Sequence, residues 1–275
     1  MIFTVFGGDD RIVRLCGLFR ADGRSVRPYA LEGKLPCAAD PEEALCGADA
    51  AILPLPCEAG GVLNAPYSAE KHTFPALLAS APPGLPVLAG KAPEALRSVC
   101  RRQKLALRDY FLREDFTLRN AELTAEGAVG LLLQGSETSL RGSRVLIVGF
   151  GRIGRLLAVK LRALGADVTV AARKSEDRVL AECLGCRALP LPLPGSGQWD
   201  AVVNTVPARI FGAAEMEELG DARMVELASP PYGFDFDEAA AAGKRIELAS
   251  GLPGKTAPAA AAAAVRDATY EIKEE

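Results

Sequence analysis

The chain has 275 residues, of which 49% are hydrophobic and 24% charged, with a formal net charge of −3. That length corresponds to about two domains and the apolar content fills two cores, which excludes a disordered chain. So small a net charge gives no broad cationic field for nucleic acid or an anionic membrane surface, and no stretch approaches the roughly 18 uninterrupted apolar residues of a spanning helix.

The N-terminus, MIFTVFGGDD, lacks a basic n-region and a long apolar run, so the expected location is the cytoplasm. Its first strand, IFTVF, turns at Gly7-Gly8-Asp9 into a helix, IVRLCGLFRA. SVRPYAL, AAILPLP and LPVLAG read as further strands, with a helix around PEALRSVCRRQ, and 57–86, rich in Gly, Pro, Ala and Asn, reads as loop with short helical pieces. Residues 121–134, AELTAEGAVGLLLQ, read as a linking helix. Strands alternating with helices predict a mostly parallel sheet.

A second alternation opens with VLIVGFGRIG at 145–154. A buried strand, a G-x-G-x-x-G turn and a helix in succession, followed by DVTVAA, WDAVVNTVP, DARMVELA and KRIELA as later strands, predict a doubly wound dinucleotide-binding fold. Gly149 permits the tight turn, Gly151 lets backbone approach a pyrophosphate and Gly154 lets the helix pack close to the strand. Arg152 and Ile153 fill the variable slots, where free N–H groups at the helix start meet the phosphates. The predicted class is therefore α/β with two α/β domains. Residues 1–120 form a substrate-side domain, 121–255 a Rossmann domain with the linking helix, and 256–275 a helix packing back toward the first domain.

The end of the second Rossmann strand selects the nucleotide. An NAD site usually has an acid there on the ribose hydroxyl, whereas a 2′-phosphate needs a cation. Ala172 stands 21 residues after Gly151, followed by Arg173, Lys174 and Ser175. That predicts NADP, with NAD still open through Glu176 or Asp177 if the turn is tighter. Ligands in this fold lie beyond the carboxyl ends of the strands, which directs attention to Asn204-Thr205-Val206-Pro207, Ala228-Ser229, Leu252-Pro253-Gly254-Lys255, and Thr124 to Gly127 on the linking helix. The seven cysteines, in a chain without a secretory signal, predict reduced thiols. Cys183 and Cys186 form a lone C-x-x-C, and His72 is the only histidine, so the pair reads as structural and no metal is expected.

In order along the chain, GGD, NAELTAEGA, GFGRIG, VTVAARKS, NTVPA, ELASPPYGFDF and GLPGKTAP resemble the A-subunit family of dipicolinate synthase. The resemblance implies a protein of spore-forming bacteria that works with a separate, flavoprotein-like B-subunit of dipicolinate synthase. It also implies oxidation of a dihydrodipicolinate from the lysine branch to pyridine-2,6-dicarboxylate, with NADP as hydride acceptor. Carried onto this chain, Gly149, Gly151 and Gly154 form the phosphate loop, and Arg173 and Ser175 read the 2′-phosphate. Asn204, Thr205 and Pro207 lie beside the nicotinamide ribose, Ser229 in the next strand-end loop, and Leu252, Pro253 and Gly254 in the last. The sequence departs from the family at Tyr232, where a glycine is usual, and in the alanine run after Pro258. A dicarboxylate substrate calls for cations or helix N-termini, here Lys255 and the Gly8-Asp9 turn with Arg11 behind it. Glu126 is the first-choice proton acceptor and His72 the second. A homo-oligomer is expected. A dehydrogenase of a hydroxy acid or shikimate-like substrate, and a non-catalytic NADP-binding protein that docks the B-subunit, remain as alternatives.

Overall fold

In the computed structural model, which describes residues 1–134, 139–194 and 197–274, strand β1 (Ile2–Phe6) leads into α1 (Asp10–Ala21). Asp9 caps that helix, its carboxylate accepting from the Arg11 backbone N–H at 3.1 Å. Next come β2 (Ser25–Tyr29), α2 (Pro41–Leu45), β3 (Ala50–Ile52) and the short hairpin of β4 (Glu58–Ala59) and β5 (Val62–Leu63). They are followed by α3 (Phe74–Leu77), β6 (Pro86–Ala89), α4 (Glu94–Gln103) and β7 (Ala106–Asp109). The first sheet is parallel throughout, in the order β2-β1-β3-β6-β7. Strand β7 lies outside the strands expected from the sequence, and α5 (Glu114–Leu133) starts seven residues before the expected linking helix.

The second sheet is built from β8 (Arg144–Val148), β9 (Asp167–Ala172), β10 (Arg187–Pro190), β11 (Ala201–Asn204), β12 (Arg223–Glu226) and β13 (Ile246–Leu248). Its order, β10-β9-β8-β11-β12-β13, is the doubly wound order with every pairing parallel. Helices α6 (Arg152–Ala163), α7 (Ser175–Cys183), α8 (Ala213–Glu218) and α9 (Phe236–Ala241) connect the strands. Helices on both faces explain why Val145 to Val148 form an unbroken buried run.

Two helices follow, α10 (Leu252–Thr256) and α11 (Pro258–Glu274). The chain divides into two units, Met1–Asn120 with Pro253–Glu275, and Ala121–Leu252. Residues 253–255, expected with the cofactor half, group with the first unit instead. There α11 packs on α1. Ala262, Ala264, Val265 and Ala268 join Phe3, Val5, Leu15 and Phe19 in one core. The alanine run is thus a close-packing helix face, since small side chains let two helices approach.

Candidate functional site

Tight backbone contacts shape the turn after β8. Gly149 has φ +95°, and a Cβ there would lie 2.5 Å from Thr205 Oγ1, so glycine is required twice over. A Cβ on Gly154 would fall inside contact distance of the Gly149 carbonyl, which fixes how closely α6 meets the strand. Gly151, the N-cap of α6, is different. A Cβ there would have no heavy atom within 4 Å, so the helix N-terminus opens onto free space. A helix N-terminus with its dipole and no side chain in the way forms a fitting cradle for a pyrophosphate.

Beside this turn lies a cavity of about 890 Å³. Gly149, Phe150, Ala172, Arg173, Lys174 and Asp177 form one side. Leu191, Pro192, Leu193 and Pro194 line the second, and Val206 to Phe211 with Glu215, Glu218 and Leu219 the third. A mostly apolar slot of this size, with both cations and acids among its lining, suits a nucleoside. The basic turn is braced by Arg178, whose Nη1 donates to the Ala172 and Arg173 carbonyls at 3.0 and 2.9 Å. Arg155 joins the glycine turn to this side of the cavity, donating to Phe150 O at 2.9 Å and pairing with Asp177 at 2.8 Å. Asp177 is therefore already held by a cation. Glu176 is exposed, with Lys174 4.0 Å away.

The remaining expected cofactor residues divide between the cavity wall and the structure behind it. Pro207 lines the cavity, whereas Ser175 opens α7 as an exposed residue outside the wall. Arg152 is exposed and Ile153 packs against the core. Asn204 is fully buried and does not face the cavity. Its side chain donates to Glu226 at 2.7 Å and to Val206 O at 2.9 Å, and accepts from Val206 N–H at 3.1 Å. Thr205 donates its hydroxyl to Val148 O at 2.9 Å. Ala228 is buried, Ser229 exposed. Sequence reasoning missed Glu226 and the Leu191–Pro194 wall. The repeated Leu-Pro dipeptides are the one signal for the wall, and no spacing rule marks the buried acid.

In the first unit the structure brings Asp9, Arg11 and Gly254 together. A Cβ on Gly254 would lie 2.5 Å from Asp9 Oδ2 and 2.8 Å from Arg11 Nε. Arg11 is not a free cation: it is 6% exposed, its Nη2 donates to Asp9 at 2.8 Å, and it also donates to Leu55 O. The expectation of Arg11 as a substrate anchor is corrected accordingly, because its charge is spent on the Gly8-Asp9 turn. Gly8 has φ +103° and donates its N–H to Asn64 O at 2.8 Å. Pro253 and Gly254 are buried, as are Leu252 and Thr124.

The expected catalytic side chains have separate surroundings. Glu126 is exposed and lies 3.5 Å from Lys160, which also donates to Glu122 at 2.6 Å and is held above the usual lysine range by that hydrogen bond. It is a surface ion pair, not the desolvated acid a general base requires. His72 is half-buried, with Nε2 2.9 Å from Ser68 Oγ and its ring edge-on to Tyr29 at 5.2 Å. Lys255 is exposed in the last turn of α10, where the dipole favours a cation. The cysteines are all free, with Cys183 exposed and Cys186 buried. Among the described residues, no helix is long and apolar enough to cross a membrane.

Comparison with known proteins agrees with both sheets. Residues 2–111 match the N-terminal domain of the dipicolinate synthase A-subunit, and residues 121–210 the NAD-binding domain of D-isomer specific 2-hydroxyacid dehydrogenases. The dipicolinate synthase A-subunit of Bacillus subtilis (strain 168) is 33% identical over 149 residues, a match that spans 52% of this chain and about half, 50%, of that protein. The crystal structure of the same B. subtilis synthase component is 25% identical, with a TM-score of 0.84 over 100% of this chain and 96% of that one. Its counterpart from Bacillus halodurans shares the fold at a TM-score of 0.84 and 24% identity, over 100% and 98% of the two chains. The chain is thus similar to the A-subunit of dipicolinate synthase in its N-terminal domain and carries a nicotinamide-dinucleotide domain in its second half.

Proposed function

We propose that the protein is an NADP-dependent oxidoreductase that converts dihydrodipicolinate to dipicolinate, working with the B-subunit of dipicolinate synthase in the cytoplasm of a sporulating cell. The reaction balances as a two-electron oxidation. A ring carbon of the dihydropyridine gives up a hydride, its neighbour gives up a proton, and the product is the aromatic pyridine-2,6-dicarboxylate. When bound, the nicotinamide supplies the hydride acceptor. Aromatisation supplies the driving force, so the chain's task is chiefly to bind and align.

The observation that carries the NADP preference is the basic turn at the cavity edge. Ala172 occupies the slot of the ribose-binding acid, Arg173 and Lys174 line the cavity, and Asp177 is engaged by Arg155. In this reading Gly149 and Gly151 admit the pyrophosphate and α6 faces it with the positive end of its dipole. Arg173 and Lys174 hold the 2′-phosphate, with Ser175 beside them. Lys255, which forms no ion pair among the described residues, holds a substrate carboxylate. The proton acceptor is His72 rather than Glu126, whose carboxylate is committed to Lys160.

Two experiments test the reading. Exchanging Ala172→Asp together with Arg173→Ala weakens NADP binding by about 1.5–3 kcal/mol, the cost of losing a charge-assisted hydrogen bond, and improves NAD binding. Equal affinity of the parent for both nucleotides refutes the preference. Incubating the chain with dihydrodipicolinate and NADP, with and without the B-subunit, produces the reduced-nicotinamide absorbance. A chain that binds NADP yet never reduces it under either condition is a docking protein instead.

A further inference from the structure

Glu226 ends β12 with its side chain wholly buried, and among the described residues no cation pairs with it. A lone buried carboxylate is costly unless its oxygens are met by donors. Here they are met by four. Oε1 accepts from Asn204 Nδ2 at 2.7 Å and from the Ala228 N–H at 2.8 Å. Oε2 accepts from the Gly233 N–H at 2.8 Å and the Phe234 N–H at 3.2 Å.

Three of these four bonds, those from Asn204, Gly233 and Phe234, lead to the cavity wall. Asn204, oriented by the carboxylate, clamps the Val206 peptide from both sides, donating to its carbonyl and accepting from its N–H. Gly233, held by the other oxygen, accepts from Ile210 N–H at 2.8 Å and Phe211 N–H at 2.9 Å. Phe234 stacks on Phe211 with ring centroids 4.6 Å apart. Segment 206–211 is therefore fastened at both ends to one buried acid that never touches the cavity. We propose that Glu226 is a positioning residue of the dinucleotide site, holding wall 206–211 in its binding shape, an inference that rests on the dinucleotide reading above.

Glutamine is nearly isosteric with glutamate but cannot accept on both sides, since its NH₂ must face one pair of donors. The test is calorimetric titration with NADP at a temperature where each variant is folded. The parent and Glu226→Gln are compared with Leu132→Ala, a core truncation in the same unit outside both loops. We expect at least a tenfold weaker Kd for Glu226→Gln and a Kd within twofold of the parent for Leu132→Ala. Glu226→Asp, which keeps the charge but reaches fewer donors, falls between the parent and the glutamine variant. It carries the test alone if the glutamine variant does not fold. Failure of the parent to bind any nicotinamide dinucleotide overturns the reading beneath. A parent that binds while the Glu226 variants match it, or lose no more than Leu132→Ala, overturns the positioning role only.

Discussion

Two glycines three residues apart carry opposite consequences. Gly151 faces open space, so Gly151→Val leaves the fold intact and fills the place proposed for the pyrophosphate. We expect an unchanged thermal midpoint and no detectable NADP titration. Gly154 faces the Gly149 carbonyl, so Gly154→Ala forces α6 away from β8. The expected cost is about 1–3 kcal/mol of stability, typical of an overpacked core and read as a lower midpoint. Equal midpoints for the two variants refute this division of labour. The structural roles of Gly149 and Gly154 were legible in the sequence because positive φ and close approach allow few other residues. The role of Asn204 was not. A polar residue at a strand end faces either the crevice or the neighbouring strand, and only the β11–β12 register, which sets Asn204 against Glu226, decides between them.

The strands missed in the sequence are short ones at sheet edges. Central β8 and β11 are apolar runs covered on both faces, whereas β7 and β10 are four-residue edge strands, ALRD and RALP, with little apolar patterning to reveal them. A polar latch ties together the N-terminal ends of the two central strands. Asp200, just before β11, accepts from the Arg144 backbone N–H at 2.7 Å and from its Nη2 at 3.1 Å. The side-chain hydrogen bond from Arg144 is the main cause that holds this carboxyl below the usual aspartate range. The folded-state pKa is depressed, so the stabilisation is present above the unfolded value and is lost as pH falls through the folded one. Asp200→Asn therefore flattens the acid limb of the stability curve below about pH 4. Because both side chains are over 40% exposed, the effect is screened and small at neutral pH. Chemical denaturation across that pH range measures it, and parallel acid limbs for parent and variant refute it.

Each sheet has its own buried core, and the two α/β halves were readable from alternation alone because each repeats strand, turn and helix. The return of 256–275 to the first half was expected as well; what alternation does not carry is the residue at which the chain leaves the second unit, and 253–255 group with the first. With NADP at about 100 times Kd, linkage adds about 2.7 kcal/mol to whichever state binds it. Hydrogen exchange should therefore slow within 121–252, above all at 149–155 and 204–211. Slowing confined to 1–120 places the nucleotide in the other unit.

The two-segment construction of the first unit also bears on the order in which the protein is made. Translation runs in one direction, so β1 and α1 leave the ribosome long before α11 exists. At about 5–20 residues per second the wait from Asn120 to Pro258 is on the order of ten seconds. The whole of 121–252 emerges within that interval and is the first unit whose chain is complete, reversing the usual N-terminal-first sequence. Until α11 arrives, the surface of α1 that it will cover stands open, an apolar face available to a chaperone.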